Sequence, residues 1–481
     1  MPDKRRVPKD KKSTQAASRI RLVMGLVALA VLVRGAAPPA VPQLPATPAP
    51  LLVPVDGSAS ADQLPAPTQT GLARALDPLL EDPALGARVS AVVMDVATQQ
   101  VMYGKSVDIP MVPASTTKLA TAVAALAALG PEATLDTRVV RGPQPDEIVL
   151  QGGGDSTLAL APGPLERIDQ PESLYPASAK LAELAVATAR SLSSSATGQS
   201  PHSRPRVRLY FDDSRFLGPA VNPLWDRPYV AIGSVAPVTA LMVDEGRISP
   251  DKLTRSADPS RVAAQAFAAL LRQHGVTVVA APAARPAAPD AAELARVSSP
   301  PMAALVERML VHSDNDLAEA LARQVALAER MPATFRGGGQ AILRVLERLE
   351  IPTSGMVLYD GSGLSRGNRI SAATLGQLLA VAASAEHPEL RAAITGLPTA
   401  GFTGTLHDRF ADGNAPAAAG VARAKTGSLI GASTLAGLVR DADGRMLVFA
   451  FLADQMTPSA AERARDVLDE LAATVAACGC R

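Results

Sequence analysis

A serine and a lysine stand three residues apart in "MVPASTTKLATAVAALAAL", residues 111–129. The apolar run after Lys118 predicts a buried helix, and residues three apart lie on one face of a helix. Ser115 and Lys118 should therefore lie side by side at its first turn. A serine hydroxyl becomes a nucleophile when a base takes its proton, and a lysine serves as that base once its pKa is lowered. Taken alone, this spacing is weak evidence: it leaves open an ordinary helix-cap serine and a nucleophilic Ser115.

Lysine is scarce in most of the chain. Of 47 basic residues nine are Lys, and beyond residue 21 only five of them remain: Lys105, Lys118, Lys180, Lys252 and Lys425. Arginine supplies positive charge nearly everywhere else, but it cannot give up its proton. A lysine in this background suggests a role that arginine cannot fill. A second Ser-x-x-Lys, Ser249–Lys252 in "SPDK", has no apolar helix after it, and we interpret it as a coincidence.

Two further short motifs occur later in the chain. Ser313-Asp314-Asn315 lies in "VHSDNDLAEAL", and Lys425-Thr426-Gly427 lies in "ARAKTGSLIG". Taken alone, the first could be a helix cap and the second the end of a strand. Together with Ser-x-x-Lys, and in this order, they are typical of penicillin-binding proteins and class A β-lactamases.

The first two motifs predict the chemical steps of acyl transfer. Ser115 attacks a carbonyl carbon, and Lys118 takes the serine proton. Ser313 can relay a proton to the leaving nitrogen, and Asn315 can orient Lys118 and the substrate amide.

The third motif predicts how substrate is held. Lys425 and Thr426 offer a positive charge and a hydroxyl to a substrate carboxylate. Gly427 lets the substrate backbone approach an exposed strand edge. The backbone N–H groups of Ser115 and Ser428 are the expected oxyanion hole.

The order of predicted elements indicates an α+β fold. A helix and two strands open the folded part, ending near residue 106, and two strands and a helix close it over 431–477. Both ends are expected to share one antiparallel sheet flanked by helices. Between them, 135–300 reads as one or more inserted strand-rich domains, with a long polar loop at 187–205, and 301–350 reads as helical. The predicted parts are 70–134 and 301–477 for the main domain, 135–300 for the insert and 478–481 for a tail.

The N-terminal part reads as a targeting segment. Residues 1–21 carry eight Lys/Arg and two Asp, which leaves −5 for the rest of a chain whose formal net charge is +1. The apolar run 22–33 suits a signal-peptide core or a short anchor within the segment 1–37. The basic flank predicts that the rest of the chain is exported. Residues 38–67 hold nine Pro and form a predicted spacer.

Charge and cysteine content exclude several classes of protein. The balance beyond residue 21 gives no sign of nucleic-acid binding, and no Cys/His spacing suggests a metal site or a cofactor. Cys478 and Cys480 are the only cysteines. They could pair in an exported protein, or form a tail without a catalytic role.

The chain resembles the class C low-molecular-mass penicillin-binding proteins, the D-Ala-D-Ala carboxypeptidase/endopeptidases of type 4. The resemblance runs from about residue 70 to 477 and includes "LQGGGDSTL", "FDDSRFLGP", "YDGSGLSRGNRIS" and "GFTGTLHDRF". Ser115 and Ser313 are 198 residues apart, which matches this family's habit of inserting domains between its first two motifs. The resemblance implies a penicilloyl-serine-transferase fold, no metal, removal of the terminal D-Ala from peptidoglycan stem peptides and cleavage of D-Ala–diaminopimelate cross-links. It also implies covalent inhibition by β-lactams. The targeting segment predicts that this activity lies at the extracytoplasmic face of the cell membrane or in the wall.

The resemblance also implies a pocket for diaminopimelate in the insert. A Trp–acid–aromatic cluster and an Arg line such a pocket in the family, and they carry over to Trp225, Asp226, Tyr229 and Arg366. The interval from Asp226 to Tyr229 is shorter than in the family. A packed surface turn is the alternative for this cluster.

Two other functions remain open from the sequence. A serine β-lactamase would share the three motifs, although no dedicated deacylation glutamate is evident. A non-catalytic wall-binding or β-lactam-sensing module would also be exported, but the intact Ser115, Lys118 and Lys425 argue against it.

Overall fold

The computed structural model describes residues 64–160, 177–194, 204–249, 252–410 and 415–481. The targeting segment with its apolar run, and nearly all of the Pro-rich spacer, lie outside these residues. Within the described ranges, no helix is long and apolar enough to cross a membrane.

The described chain alternates helices and strands. The helices are α1 Gln69–Leu80, α2 Thr117–Leu129, α3 Leu181–Ser194, α4 Pro228–Ala231, α5 Pro259–Gln273, α6 Met302–His312, α7 Asn315–Ala328, α8 Phe335–Arg348, α9 Ala372–Ala383, α10 Ala392–Thr395 and α11 Ala461–Ala476. The strands are β1 Arg88–Asp95, β2 Val101–Lys105, β3 Asp136–Arg141, β4 Glu147–Gln151, β5 Arg206–Asp212, β6 Thr277–Val278, β7 Ala283–Ala284, β8 Glu293–Ser298, β9 Ala422–Leu429, β10 Ala432–Arg440 and β11 Met446–Asp454.

The main sheet joins the two ends of the folded chain. Its strand order is β2-β1-β11-β10-β9, and every neighbouring pair is antiparallel. β1 pairs with β11 along its whole length, from Arg88 opposite Asp454 to Asp95 opposite Leu447. The predicted sharing of one antiparallel sheet by the opening and closing strands is therefore confirmed.

Helices cover both faces of this sheet. Val92 and Met94 belong to a core that includes residues of α2 and α6–α9, and Ala91 and Val93 belong to a core that includes residues of α1 and α11. Because successive side chains of a strand point to opposite faces, a strand covered on both sides is apolar throughout. The apolar runs Ala91–Met94 in β1, Leu435–Val439 in β10 and Leu447–Ala453 in β11 have this cause.

A second sheet is built from the strands between residues 136 and 298. Its order is β6-β5-β4-β3-β8, and β7 pairs with β5. Pairs β3–β4 and β3–β8 are antiparallel, whereas β4–β5 is parallel. The strand-rich insert expected from the sequence thus forms a mixed sheet, whose core also contains residues of α3 and α5.

The polar loop predicted over 187–205 is partly wrong. α3 continues to Ser194, eight residues into that stretch. Leu184, Ala185, Thr188 and Leu192 recur at helical spacing and are buried. This apolar stripe keeps the segment helical despite its many serines.

The C-terminal tail contacts the beginning of α1. Cys478 and Cys480 are paired, and Cys478 is buried. The Thr68 N–H donates to the Cys480 carbonyl at 2.7 Å. The tail thereby lies where the chain enters its folded part.

Candidate active site

Ser115 lies in a tight turn just ahead of α2. Ala114–Thr116 forms a single 3-10 turn, with Ala114 in the left-handed region at φ 47°. The Thr116 hydroxyl donates to the Pro113 carbonyl at 2.6 Å, and that of Thr117 donates to the Ala114 carbonyl at 2.8 Å. These bonds hold the backbone around Ser115, whose side chain is half-buried.

Lys118 is completely buried and its amine has three acceptors. Nζ lies 3.1 Å from Ser115 Oγ, 2.7 Å from Asn315 Oδ1 and 2.7 Å from the Ser362 carbonyl oxygen. Burial disfavours the charged form and lowers the pKa of Lys118 to about 8. Nearby carboxylates oppose this effect, those of Asp360, Glu319, Asp314 and Asp316. The amine is thus held on the serine hydroxyl with a pKa suited to proton transfer near neutral pH.

The second motif is both a helix junction and part of the site. α6 ends at His312, and its C-cap residue Ser313 has left-handed geometry with φ 53° and ψ 39°. Asp314 caps α7 by accepting from the Leu317 N–H, and Asn315 is the first residue of that helix. The amide of Asn315 accepts from Lys118 and donates to the Ser234 carbonyl at 2.9 Å. The helix-cap interpretation is thus confirmed for Asp314, and its neighbour Asn315 contacts Lys118.

Ionic contacts tie the motif's helix to the insert. Asp316 Oδ1 accepts from the Ala236 N–H at 2.6 Å, and its Oδ2 lies 3.1 Å from Arg255 Nη2. Arg255 and Arg308 also contact Glu245, which is buried. Paired buried charges have strict geometry, so they hold 234–256 against the beginning of α7.

Lys425 is the second wholly buried lysine. Its Nζ donates to the Thr426 carbonyl at 2.9 Å. Desolvation, followed by the positive charges of Lys118 and Arg409, holds the pKa of Lys425 well below its ordinary value. The two lysines therefore lie within electrostatic range of each other. The Thr426 hydroxyl donates to that of Thr405 at 3.0 Å.

β9 presents backbone groups at the edge of the main sheet. The Ala424 N–H donates to Pro398, and the Ala422 carbonyl accepts from Ala400, on the side away from β10. In an antiparallel strand, alternate residues direct their backbone groups to the same side. With regular pairing to β10, Thr426 and Ser428 point theirs outward as well.

Gly427 is required by packing beneath the serine turn. A Cβ at this position would lie 2.1 Å from Thr434 Oγ1 and 2.6 Å from the Pro113 carbonyl oxygen. This packing is a reason for glycine that the sequence did not predict. The absent side chain lets β9 contact the segment that precedes Ser115.

The residues expected to read diaminopimelate occupy different environments. Trp225 is buried, donates from its indole N–H to Asp360 at 2.7 Å and stacks edge-on against Phe335. Asp226 is exposed and accepts from the Tyr229 hydroxyl at 3.4 Å.

Arg366 is exposed beside this cluster. It donates to the Ile430 carbonyl at 2.7 Å, and its charge acts on the Tyr229 hydroxyl, whose pKa is raised chiefly by burial. Asp226, Tyr229 and Arg366 thus form a partly exposed polar cluster, which we call the polar rim. The buried Trp225 belongs to the apolar cluster against which Tyr229 packs.

Several residues of the site were not predicted from the sequence. The Ser362 carbonyl holds Lys118, and Asp360 accepts from Trp225, Asn368 and two backbone N–H groups. Both lie in "YDGSGLSRGNRIS", which the resemblance had marked without assigning these roles. Glu319 had no signal, because it looks like one more polar residue of a surface helix. Among the described residues, no group of three or more His, Cys, Asp or Glu side chains could hold a metal ion.

Comparison with known proteins gives consistent matches. The family model for "D-Ala-D-Ala carboxypeptidase 3 (S13) family" matches residues 72–254 and 250–475. The carboxypeptidase DacB of Mycolicibacterium smegmatis is 38% identical over 473 residues, 96% of each chain. A D-alanyl-D-alanine carboxypeptidase of Actinomadura sp. is 31% identical and covers 78% of this chain and 80% of that one.

Among solved structures, penicillin binding protein 4 of Haemophilus influenzae matches with a TM-score of 0.65 at 21% identity. The match covers 84% of this chain and 97% of that one. At this identity the likeness shows the fold, and it confirms the α+β penicilloyl-serine-transferase fold expected from the sequence.

Proposed function

The chain belongs to the D-Ala-D-Ala carboxypeptidase 3 (S13) family, and we propose that it is a serine-type D-alanyl-D-alanine carboxypeptidase and endopeptidase. Its substrates are peptidoglycan stem peptides and their cross-links, cleaved through an acyl-serine intermediate. The observation that carries the proposal is the buried Lys118 amine, 3.1 Å from the Ser115 hydroxyl and with a pKa of about 8.

Acylation begins at the carbonyl of the penultimate D-Ala. Ser115 Oγ forms a bond to the carbonyl carbon as neutral Lys118 takes the hydroxyl proton. The C–N bond then breaks, and the proton passes through the Ser313 hydroxyl to the leaving amine. Water attacks the resulting ester with Lys118 again as base, which releases the shortened peptide and restores the serine. Asn315 holds Lys118 in place throughout.

The oxyanion is held by two backbone N–H groups, those of Ser115 and Ser428. The support for Ser428 is the alternation along β9, which directs its N–H to the open edge. Donors placed in advance on a developing charge lower the barrier without reorganisation.

The terminal carboxylate of the substrate binds at Lys425 and Thr426. In the free protein, burial favours the neutral amine of Lys425. An arriving carboxylate adds an opposite charge and raises the pKa of that amine. Carboxylate binding is therefore coupled to uptake of a proton by Lys425, which completes the ion pair. The carboxylate of a β-lactam binds at the same place.

The free end of diaminopimelate binds at the rim formed by Asp226, Tyr229 and Arg366. This end carries one amine and one carboxylate, which match an acid and an arginine. Trp225 keeps the segment in place through its bond to Asp360. Recognition at this rim favours peptides in which that end is free.

The protein acts on the outer face of the cell membrane or in the wall. The proposal rests on the basic segment 1–21, the apolar run 22–33 and the Pro-rich spacer, which together suit export and attachment. N-terminal sequencing of the mature protein decides between a cleaved signal and a retained anchor.

Fluorescent penicillin labelling combined with D-Ala release tests the main proposal. A persistent label on Ser115 together with D-Ala release is expected. Ser115→Ala should lose both, whereas Ser249→Ala, which alters the coincidental second motif, should keep both. Rapid loss of the label would instead identify a β-lactamase, and labelling without D-Ala release a sensor.

The diaminopimelate rim has its own test. Asp226→Ala and Arg366→Ala should each lower kcat/KM on a diaminopimelyl peptide about 30-fold, at the modest end for a lost charge partner. Acylation by benzylpenicillin, which lacks that end, should barely change. Asp290→Ala, an exposed acid elsewhere in the insert, is the matched control. Equal losses on both substrates would move the specificity site elsewhere.

A further inference from the structure

A buried ion pair lies one turn after Asn315 on α7. Glu319 and Arg323 are both essentially inaccessible to solvent, and Glu319 Oε2 lies 3.5 Å from Arg323 Nη1. Within the described chain, Glu319 Oε2 and two guanidinium nitrogens of Arg323 have no hydrogen-bond partner. The guanidinium rests on the Phe335 ring, 4.0 Å from its centre. Such a pair costs more in desolvation than its attraction returns, so stability is a poor reason for its presence.

Glu319 reaches the catalytic lysine through one stretch of backbone. Its Oε1 accepts from the Gly361 N–H at 3.1 Å and from the Ser362 N–H at 2.8 Å. The carbonyl of the same Ser362 accepts from Lys118 Nζ at 2.7 Å. The carboxylate therefore fixes the backbone that supplies one of the three acceptors of the amine.

The loop that contains Gly361 and Ser362 is packed closely against α7 and α2. A Cβ on Gly361 would lie 2.6 Å from Ala322 Cβ and 2.8 Å from the Ala318 carbonyl oxygen, so the loop is pressed onto α7. The Gly361 carbonyl accepts from the Thr121 hydroxyl on α2 at 2.7 Å. Glu319 is thus the side chain through which α7 holds the loop against the helix of Lys118.

We propose that Glu319 is a positioning residue for acylation, whose carboxylate aims the Ser362 carbonyl at the Lys118 amine and whose negative charge faces that amine. The inference rests on the proposed function, because it concerns Lys118 as the base for Ser115. Glu319 touches neither the serine nor the substrate and acts through the loop.

Charged groups from three elements act on Lys118. They are Glu319 and Asp316 on α7, Asp314 at the N-cap of that helix, Asp360 in the loop, and Lys425 on β9. Burial, followed by the negative charge of Asp360, raises the pKa of Glu319, and Arg323 lowers it. The resulting pKa is about 7. The adjacent guanidinium favours the carboxylate form. That charge counteracts the burial of Lys118 and keeps its pKa from falling further.

Glu319→Gln and Glu319→Asp separate charge from position. Glutamine keeps an acceptor oxygen for the two N–H groups but removes the charge and leaves Arg323 uncompensated. Both changes lower the pKa of Lys118. Aspartate keeps the charge but withdraws the carboxylate by one methylene. The matched control is Glu329→Gln. It removes a carboxylate that pairs with the exposed Arg348 at the far end of the same helix.

The measurement is the rate of benzylpenicillin acylation across pH, with melting temperatures recorded for each variant. In Glu319→Gln the midpoint of the acidic limb should move down by up to about 1 pH unit, and the gain in rate relative to the plateau should be largest between about pH 7 and about pH 8, where the wild-type Glu319 carries its charge. In Glu319→Asp the limb should stay and the plateau should fall at least about tenfold. The control should follow the wild type.

Two results would overturn the proposal. The first is a pH–rate profile of Glu319→Gln whose acidic limb stays in place or moves to higher pH. A residue with a merely structural role would change only the plateau rate. The second is a wild-type plateau in Glu319→Asp, which decides the matter if the glutamine variant fails to fold. A wild type that is not acylated at Ser115 refutes the proposed function instead, so the two failures are distinct.

Discussion

Acylation of Ser115 should increase as Lys118 loses its proton. The ammonium form cannot accept the serine proton, so the rate should follow the fraction of neutral amine. Burial lowers the pKa of Lys118 to about 8. The neutral fraction is then about 1% at pH 6, about 9% at pH 7 and about 50% at pH 8. The rate should therefore rise about 50-fold from pH 6 to pH 8.

The assay is the first-order acylation rate at saturating fluorescent penicillin, followed from about pH 5.5 to about pH 9.5. Saturation matters because the bound carboxylate raises the pKa of Lys425 and keeps it charged. The remaining dependence then reports Lys118. Because Lys118 and Lys425 influence each other, apparent pKa values measured with dilute penicillin would describe the pair of lysines and not Lys118 alone. Circular dichroism at each pH controls for unfolding.

Two outcomes would refute this reasoning. A flat profile would mean that no group with a pKa in this range takes the serine proton. A limb near the ordinary lysine value of about 10.4 would mean that burial does not lower the pKa of Lys118. Either result would remove the physical basis for Lys118 as the base.

Other substitutions test separate contacts. Lys118→Arg should lower the acylation rate at least about 100-fold without unfolding the protein, because a guanidinium stays protonated; near-wild-type acylation would contradict the base role. Gly427→Ala should cost about 1–3 kcal/mol of stability by overpacking, measured by denaturant unfolding, and Gly479→Ala at an open position should cost far less; equal losses would contradict the packing argument. Trp225→Phe should cost about 1–3 kcal/mol because it removes a donor to buried Asp360, and an unchanged melting temperature would show that this bond is dispensable.

The catalytic motifs could be predicted from the sequence because their chemistry is local. Ser115 and Lys118 are three residues apart, and a single helical turn brings them together whatever surrounds it. The apolar strands at both ends of the folded part were predictable for a similar reason, since burial on two faces leaves an unbroken apolar run. The polar end of α3 was wrongly predicted, because its buried stripe is sparse and its serines suggest a loop.

The environment of those residues came only from the tertiary structure. Ser362 lies 244 positions after Lys118, and no local pattern tells which carbonyl will meet a distant amine. The same holds for Glu319, which looks like a surface residue of an amphipathic helix until α2 and the loop cover it. Burial of Lys425 and of Trp225 likewise depends on what packs over them.

Residue type and short spacing were thus enough to establish the kind of reaction, the family, and the pairing of the first and last strands. The burial of Lys118, the close packing around Gly427 and the bond from Trp225 to Asp360 required the folded chain. These three depend on desolvation and on close contact between segments far apart in the sequence, and both arise only when the chain has folded.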